Sequence, residues 1–403
     1  MRPLEGYRVF DFTAAKSGPY CTMILADFGA EIIDVENPVR LDPTRAMKPS
    51  YINNSTEFCC IHRGKKSIQL NTKLPVGQEI AKELIKKCDI FVENGKPGSA
   101  AKMGLGYEDV KKLRPDVIYA SVSGFGQDGP YRNRPAFDTV IQAMSGFMSL
   151  TGPESGEFTK AGPSLSDMLA GIYAALGITM AVVRRERTGE GTYLDCSMLD
   201  CLASILDVAI AAYLNTGEER RPIGNRHPAN AIAEPVRCKD GEFILQMFGD
   251  EMHRNFFRVM GMPDLTQDPR FCSGQKRVEN RDVLIKDYVE PVLADYTLAE
   301  IIPKLNDSGI PCAAMNTIKQ LTEDPHFKAR DHIIPCRESV NGTFRIYGSP
   351  LKFSGFDMPK ETFCDQPGEH NRAVLKDLLG MSDEAITEAL TQMGANLNLE
   401  EKE

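Results

Sequence analysis

The sequence predicts an α/β protein in two parts: a large, Rossmann-like, doubly wound domain and a smaller α+β domain. Three observations carry that reading. At 403 residues the chain is too long for one ordinary core. Its first two hundred residues alternate strand-like and helix-like segments, which is the pattern of a mostly parallel sheet with helices on both faces. Beyond a polar stretch at 216–237, rich in Arg, Asn and Pro, the alternation stops and helical patterns dominate.

The elements follow in order. Arg8 to Phe12 reads as a buried strand. Gly18-Pro19 opens a helix that runs to Phe28, with proline near its first turn and Gly29 as its stop. Glu31 to Glu36 is the next strand. Val76 to Lys87 is helical, Asp89 to Glu93 a strand, Tyr107 to Leu113 a helix and Val117 to Ser123 a strand. A Gly/Pro-rich loop, Gly124 to Pro135, leads to a helix at Asp138 to Met148. A long apolar helix from Met168 and a strand at Thr192 to Cys196 complete the half. In the second part a strand at Phe243 to Met247 precedes helices at Asp250 to Met260, Arg281 to Ala294 and Leu298 to Asn306. Strand-like segments return after Asp324-Pro325, and the chain ends in a helical, acidic tail from Met381.

Composition narrows the function. The chain is 42% hydrophobic and 26% charged, as in ordinary globular proteins. A net charge of −9 argues against nucleic acid or an anionic membrane as bulk partner. The charge-free stretch Met168–Val183 reads as too short to span a bilayer, and Gly171 and Gly177 interrupt it. Met-Arg-Pro-Leu-Glu runs straight into a strand pattern, so no signal peptide is expected. Eleven scattered cysteines without a Cys-x-x-Cys pair fit a reducing cytoplasm. Six histidines show no metal-like spacing, so no metal is expected.

Asp167 is the most informative residue. It follows the loop Gly162-Pro163-Ser164 and is the only acid before the basic end of a long apolar helix at Arg184, Arg185 and Arg187. Two readings compete. Ser164-x-x-Asp167 matches a capping box, and a first-turn Asp suits the helix dipole. Otherwise the carboxylate works chemically.

The first strand–loop–helix unit, Asp11 to Pro19, invites a dinucleotide reading, with Glu36 where a ribose-binding acid would sit. It lacks GxGxxG, so the backbone has no glycine route to a pyrophosphate. A helix N-terminus beside Lys16 remains able to hold a phosphate. Basic residues at Arg63, Lys65, Lys66, Lys96 and Lys102 cluster near strand ends, either as a solvated face or as contacts to an anionic, phosphate-bearing ligand.

Several runs together resemble the family III CoA-transferases. They are Leu4-Glu5-Gly6 with Asp11-Phe12; Leu25-Ala26-Asp27-Phe28-Gly29-Ala30-Glu31-Ile32-Ile33 with Val35-Glu36; Val92-Glu93-Asn94 with Pro97-Gly98; and Met103-Gly104-Leu105-Gly106-Tyr107. Further on come Ser123-Gly124-Phe125-Gly126-Gln127, Ser166-Asp167, Thr188-Gly189-x-Gly191, Gly309-Ile310-Pro311-Cys312-Ala313 and Asp324-Pro325-His326-Phe327. The resemblance implies an acyl-CoA:carboxylate CoA-transferase with coenzyme A or acyl-CoA as co-substrate and Asp167 as nucleophile. An aspartyl anhydride and then an aspartyl-CoA thioester would form. No base is needed, since an ordinary Asp, with a pKa of about 3.9, is ionised at neutral pH.

The same resemblance places Lys16, Ser17, Leu70, Lys73, Asn94, Gly95, Lys96 and Lys102 against CoA, and Gly124 and Phe137 in the substrate pocket. It implies a cytoplasmic, interlocked homodimer acting on an acyl-CoA donor and a carboxylic acid acceptor. Residues 1–215 and 326–403 would form the large CoA-binding domain, and 216–325 the linker and small domain. Lys16 stands where the formyl-CoA type has glutamine. That type's tetraglycine flap is missing too, its nearest counterpart being Gly224-Asn225-Arg226-His227-Pro228. Two alternatives remain. The α-methylacyl-CoA racemase branch shares the fold and the Asp, but Phe137 replaces the histidine that would shuttle a proton. A non-catalytic CoA-binding protein would need no nucleophile.

Overall fold

The computed structural model describes residues 1–51, 54–338 and 342–397. The acidic end of the tail, 398–403, lies outside them. The chain divides into two compact units: Met1–Phe147 with Ala161–Ala211 and Arg330–Glu403, and Met148–Lys160 with Ala212–Ala329.

The first unit is built on a six-stranded parallel sheet. Its strands are β1 (Arg8–Phe12), β2 (Glu31–Glu36), β3 (Lys65–Gln69), β4 (Ile90–Glu93), β5 (Ile118–Ser123) and β6 (Thr192–Ser197). Their spatial order is β3-β2-β1-β4-β5-β6, the dinucleotide-fold order, which reverses between β1 and β4. Alternate residues feed two cores. Val9, Ile32, Ile90 and Ile118 join one that includes Leu25 and Ile178. Phe10, Ile33, Phe91 and Tyr119 join the other, with Leu84, Val110, Leu375 and Leu390. Near-continuous apolar strands are what burial on both faces requires.

Four helices position the candidate site: α1 (Ser17–Asp27), α2 (Thr56–Ile61), α3 (Asp138–Met144) and α4 (Leu165–Thr188). At 24 residues α4 is about 36 Å long and passes, by length and composition, as a helix able to cross a membrane. The charge-free stretch Met168–Val183 inside it is shorter than a span. One face, with Ala170, Gly171, Ala174 and Ile178, is buried in the core. The other leaves Ile172, Tyr173, Leu176, Met180 and Val183 exposed.

The sequence gives no warning of α2. It is pinned by a small mixed sheet, Ile333–Glu338, Gly342–Tyr347 and Thr362–Phe363, through Phe58, Cys59, Ile334, Cys336 and Phe344.

The second unit has a three-stranded antiparallel sheet, with Glu242–Gln246 between Ala233–Arg237 and Cys312–Ala314. Ala233–Arg237 falls inside the stretch expected to be linker. Buried Ile232 and Val236 draw it into the sheet, and Pro235 is tolerated on an edge. The helix expected at Arg281 to Ala294 is interrupted by a wide π turn, Leu284–Val289, ahead of Pro291, which opens the next segment.

Candidate functional site

The site is assembled where the sheet order reverses, at the carboxyl ends of β1 and β4. Open α/β sheets leave a crevice at such a point. The loop after β1 is held from below. Asp11, fully buried, accepts hydrogen bonds from Thr13 Oγ1 at 2.5 Å, Thr22 Oγ1 at 2.5 Å and Lys65 Nζ at 3.0 Å. Ala15 adopts φ +66°, a left-handed conformation that is unusual without glycine. Its N–H donates to Asp42 Oδ2 at 2.8 Å, and Asn94 brackets Ala14 with bonds of 2.9 and 2.7 Å to its N–H and carbonyl. Gly18 admits no side chain, because a Cβ there would lie 2.5 Å from Thr13 Cβ.

This scaffold aims Lys16. Its ammonium donates to Glu57 Oε1 at 2.7 Å and to Ser164 Oγ at 3.3 Å. Lys16 is thus engaged beside the start of α4. Glycine explains the proximity of α1 and α4: a Cβ on Gly171 would meet Ser17 O at 2.9 Å.

The capping box does not form. Ser164 occupies the N-cap without capping through its side chain. Asp138 of α3 takes the role from outside the helix, accepting Ser166 N at 2.9 Å and Ser166 Oγ at 2.8 Å. Asp167, partly buried one residue on, makes no hydrogen bond among the described residues. Burial pushes its pKa up to about 6, and the Asp138 charge adds to that. Lys16 opposes the shift and Glu57 reinforces it. The expectation of an unperturbed carboxylate is therefore corrected.

Other expected residues sort by environment. Lys73 and Lys96 are exposed on loops beyond β3 and β4, Lys102 is exposed at the end of the short helix Ser99–Lys102, and none has an ion-pair partner among the described residues. Ser17 is buried near Asn94, with its Oγ 3.5 Å from Asn94 Nδ2. Gly95 donates to Glu93 Oε2 at 2.8 Å, and a Cβ on it would strike Ser99 Oγ at 2.4 Å. Leu70 is 1% exposed in the core, which leaves its backbone as the part able to face a ligand. Phe137 is 78% exposed and this chain does not enclose it. Gly124 lies against Ala136, whose Cβ would be 2.1 Å from any Cβ at 124.

Three basic residues leave the ligand-binding set. Arg63 pairs with Asp27 at 2.7 Å, Lys65 with Asp11 at 3.0 Å and Lys66 with Glu31 at 2.8 Å. They sit at the amino end of β3, away from the open edge. Glu36, the candidate ribose acid, is buried and paired with Arg45 at 2.5 Å.

Two residues at the site had no sequence signal of their own. Glu57 lies on the unforeseen α2. Asp138 neighbours Phe137 in a run read only for its missing histidine.

The model of CoA-transferase family III matches residues 4–371. A succinyl-CoA:glutarate CoA-transferase of Mus musculus is 34% identical over 97% of this chain and 89% of its own length. An acetyl-CoA:oxalate CoA-transferase of Acetobacter aceti is 37% identical over 89% of this chain and 91% of its own. A crystal structure of a CAIB/BAIF family protein from Brucella suis superposes with a TM-score of 0.84 at 31% identity, covering 94% of this chain and 99% of that one. The chain belongs to CoA-transferase family III.

Proposed function

We propose that Asp167 is the nucleophile of an acyl-CoA:carboxylate CoA-transferase. The observation that carries this reading is its half-buried carboxylate, without a hydrogen bond among the described residues and beside Lys16 at the sheet's reversal point. An ionised Asp167 oxygen attacks the thioester carbonyl of the donor. The C–S bond breaks and CoA leaves as thiolate, giving an aspartyl acyl anhydride. The thiolate attacks the aspartyl carbon, releases the first acid and leaves an aspartyl-CoA thioester. The acceptor carboxylate then attacks that carbon and expels CoA thiolate. Attack of the thiolate on the new acyl group frees Asp167. No proton is moved, so an acid of pKa about 6 suffices above that pH.

CoA would lie along Ser17, Asn94, Gly95 and the Leu70 backbone, with Lys73, Lys96 and Lys102 near its phosphates and Gly124 and Phe137 toward the acyl group. Residues 1–215 and 326–403 would act as the CoA-binding domain, and 216–325 as linker and small domain. An interlocked homodimer in the cytoplasm fits the apolar faces one chain leaves open, Ile172, Leu176 and Met180 on α4 and Val140 and Met144 on α3. Phe137 cannot carry a proton, which favours transfer over racemisation.

The relatives' names point to dicarboxylic acids, so succinyl-CoA and acetyl-CoA are the donors to try first, with glutarate and oxalate as acceptors. Peptide mass spectrometry after donor incubation, with hydroxylamine or borohydride quench, tests the reading. Donor-dependent modification of Asp167 is expected. Turnover with Asp167 never modified would overturn it.

A further inference from the structure

Lys16 has more to do than hold a loop. The carboxylates of Asp138, from α3, and Glu57, from α2, both act on Asp167, and Lys16 is the cation set against them. An incoming acid adds negative charge to a site already rich in it, and needs a counter-charge. An ammonium bound to the reacting carboxylate would hinder attack, because that carboxylate loses its charge as the anhydride forms. Binding the ground state better than the transition state slows the step. A group that stays anionic gains from the cation throughout the cycle, and a second carboxylate on the same acid is such a group.

The pair with Glu57 is built to exchange. The Lys16 and Glu57 side chains are 25% and 28% exposed, whereas Lys65 and Asp11 are 1% and 0%. A pair open to water on this scale is held less firmly than the sealed one, so a carboxylate can replace a carboxylate. The backbone that carries Lys16 is fixed, with Ala14 bonded to Asn94 and Ala15 to Asp42, so its side chain swings from a set base. We infer that Lys16 selects dicarboxylic acids by binding their non-reacting carboxylate, and that Glu57 occupies this place until the acid displaces it.

The inference rests on Asp167 as nucleophile, and one set of preparations separates the two. Donor-dependent modification of Asp167 without acceptor reports the nucleophile. The ratio of kcat/KM for oxalate, succinate or glutarate to that for acetate or butyrate reports Lys16. Wild type is expected to prefer dicarboxylates. Lys16→Gln should cut that ratio roughly ten- to a hundredfold through the dicarboxylate KM, with Lys16→Arg restoring much of it. Glu57→Gln should lower the dicarboxylate KM severalfold. A wild type that prefers monocarboxylates overturns the inference, as does a ratio that moves less than twofold in Lys16→Gln and Glu57→Gln. Because each ratio is taken on one preparation, a loss of folded protein cancels.

Discussion

Two clusters of charge at the same end of the sheet are treated in opposite ways. Around Asp11 complementarity is complete: Lys65, Thr13 and Thr22 all donate to it, and no part of it reaches solvent. Glu36 is likewise closed by Arg45 and Ser67. Around Asp167 complementarity is withheld. Its charged neighbours include two further acids, it makes no hydrogen bond among the described residues, and its pKa rises to about 6. The first cluster fixes a backbone. The second leaves a carboxylate under-compensated, as the proposed nucleophile would need.

The largest effect should come from removing the proposed nucleophile. Asp167→Ala and Asp167→Asn are expected to lower transfer by roughly a thousandfold or more while CoA still binds, as seen in steady-state rates and a binding isotherm. Residual turnover near wild type would erase the contrast between the clusters.

Next is the sealed cluster. Lys65→Met leaves Asp11 buried without its cation, at a cost of about 3–5 kcal/mol, measured by denaturant unfolding. Were Lys65 a phosphate contact, the same change would raise the KM for acyl-CoA and leave stability alone.

That substitution also shows what sequence could and could not tell. Strand–helix alternation is local, so the parallel sheet and most of its elements were legible from the spacing of apolar residues. Asp167 was legible as a lone acid ahead of a charge-free helix, and the family resemblance supplied the role proposed for it. The fate of a lysine was not. Lys65 and Lys96 read alike along the chain, yet one reaches a buried aspartate 54 residues earlier and the other faces solvent. Ion pairs between distant segments depend on strand order, and no local pattern encodes that. The same holds for Ser164-x-x-Asp167. It has the letters of a capping box, but Asp138 arrives from another helix to cap the turn.

A stability test sharpens the comparison further. A carboxyl whose folded pKa is raised favours the folded state while protonated, and that contribution is lost as pH rises through about 6. At pH 7.5 the ionised Asp167 is therefore a burden. Asp167→Asn should be the more stable protein there by about 1–2 kcal/mol, allowing for partial exposure, and the gap should close by pH 4. Melting curves at both pH values check this, and a variant less stable than wild type at pH 7.5 would contradict it.

The smallest effect concerns Asp138, which has two jobs that separate. It caps α4 through Ser166, and its charge raises the Asp167 pKa. Asn in its place keeps an oxygen for Ser166 N but removes the charge. Rate should still rise with pH as Asp167 ionises, but the acid limb should move down from about 6, by less than one unit. Asp138→Ala loses the cap as well, about 1 kcal/mol of stability, and should show the same displacement with a lower melting temperature. If the limb stays in place in Asp138→Asn, burial alone sets the Asp167 pKa, and the crowding of like charges is incidental to reactivity.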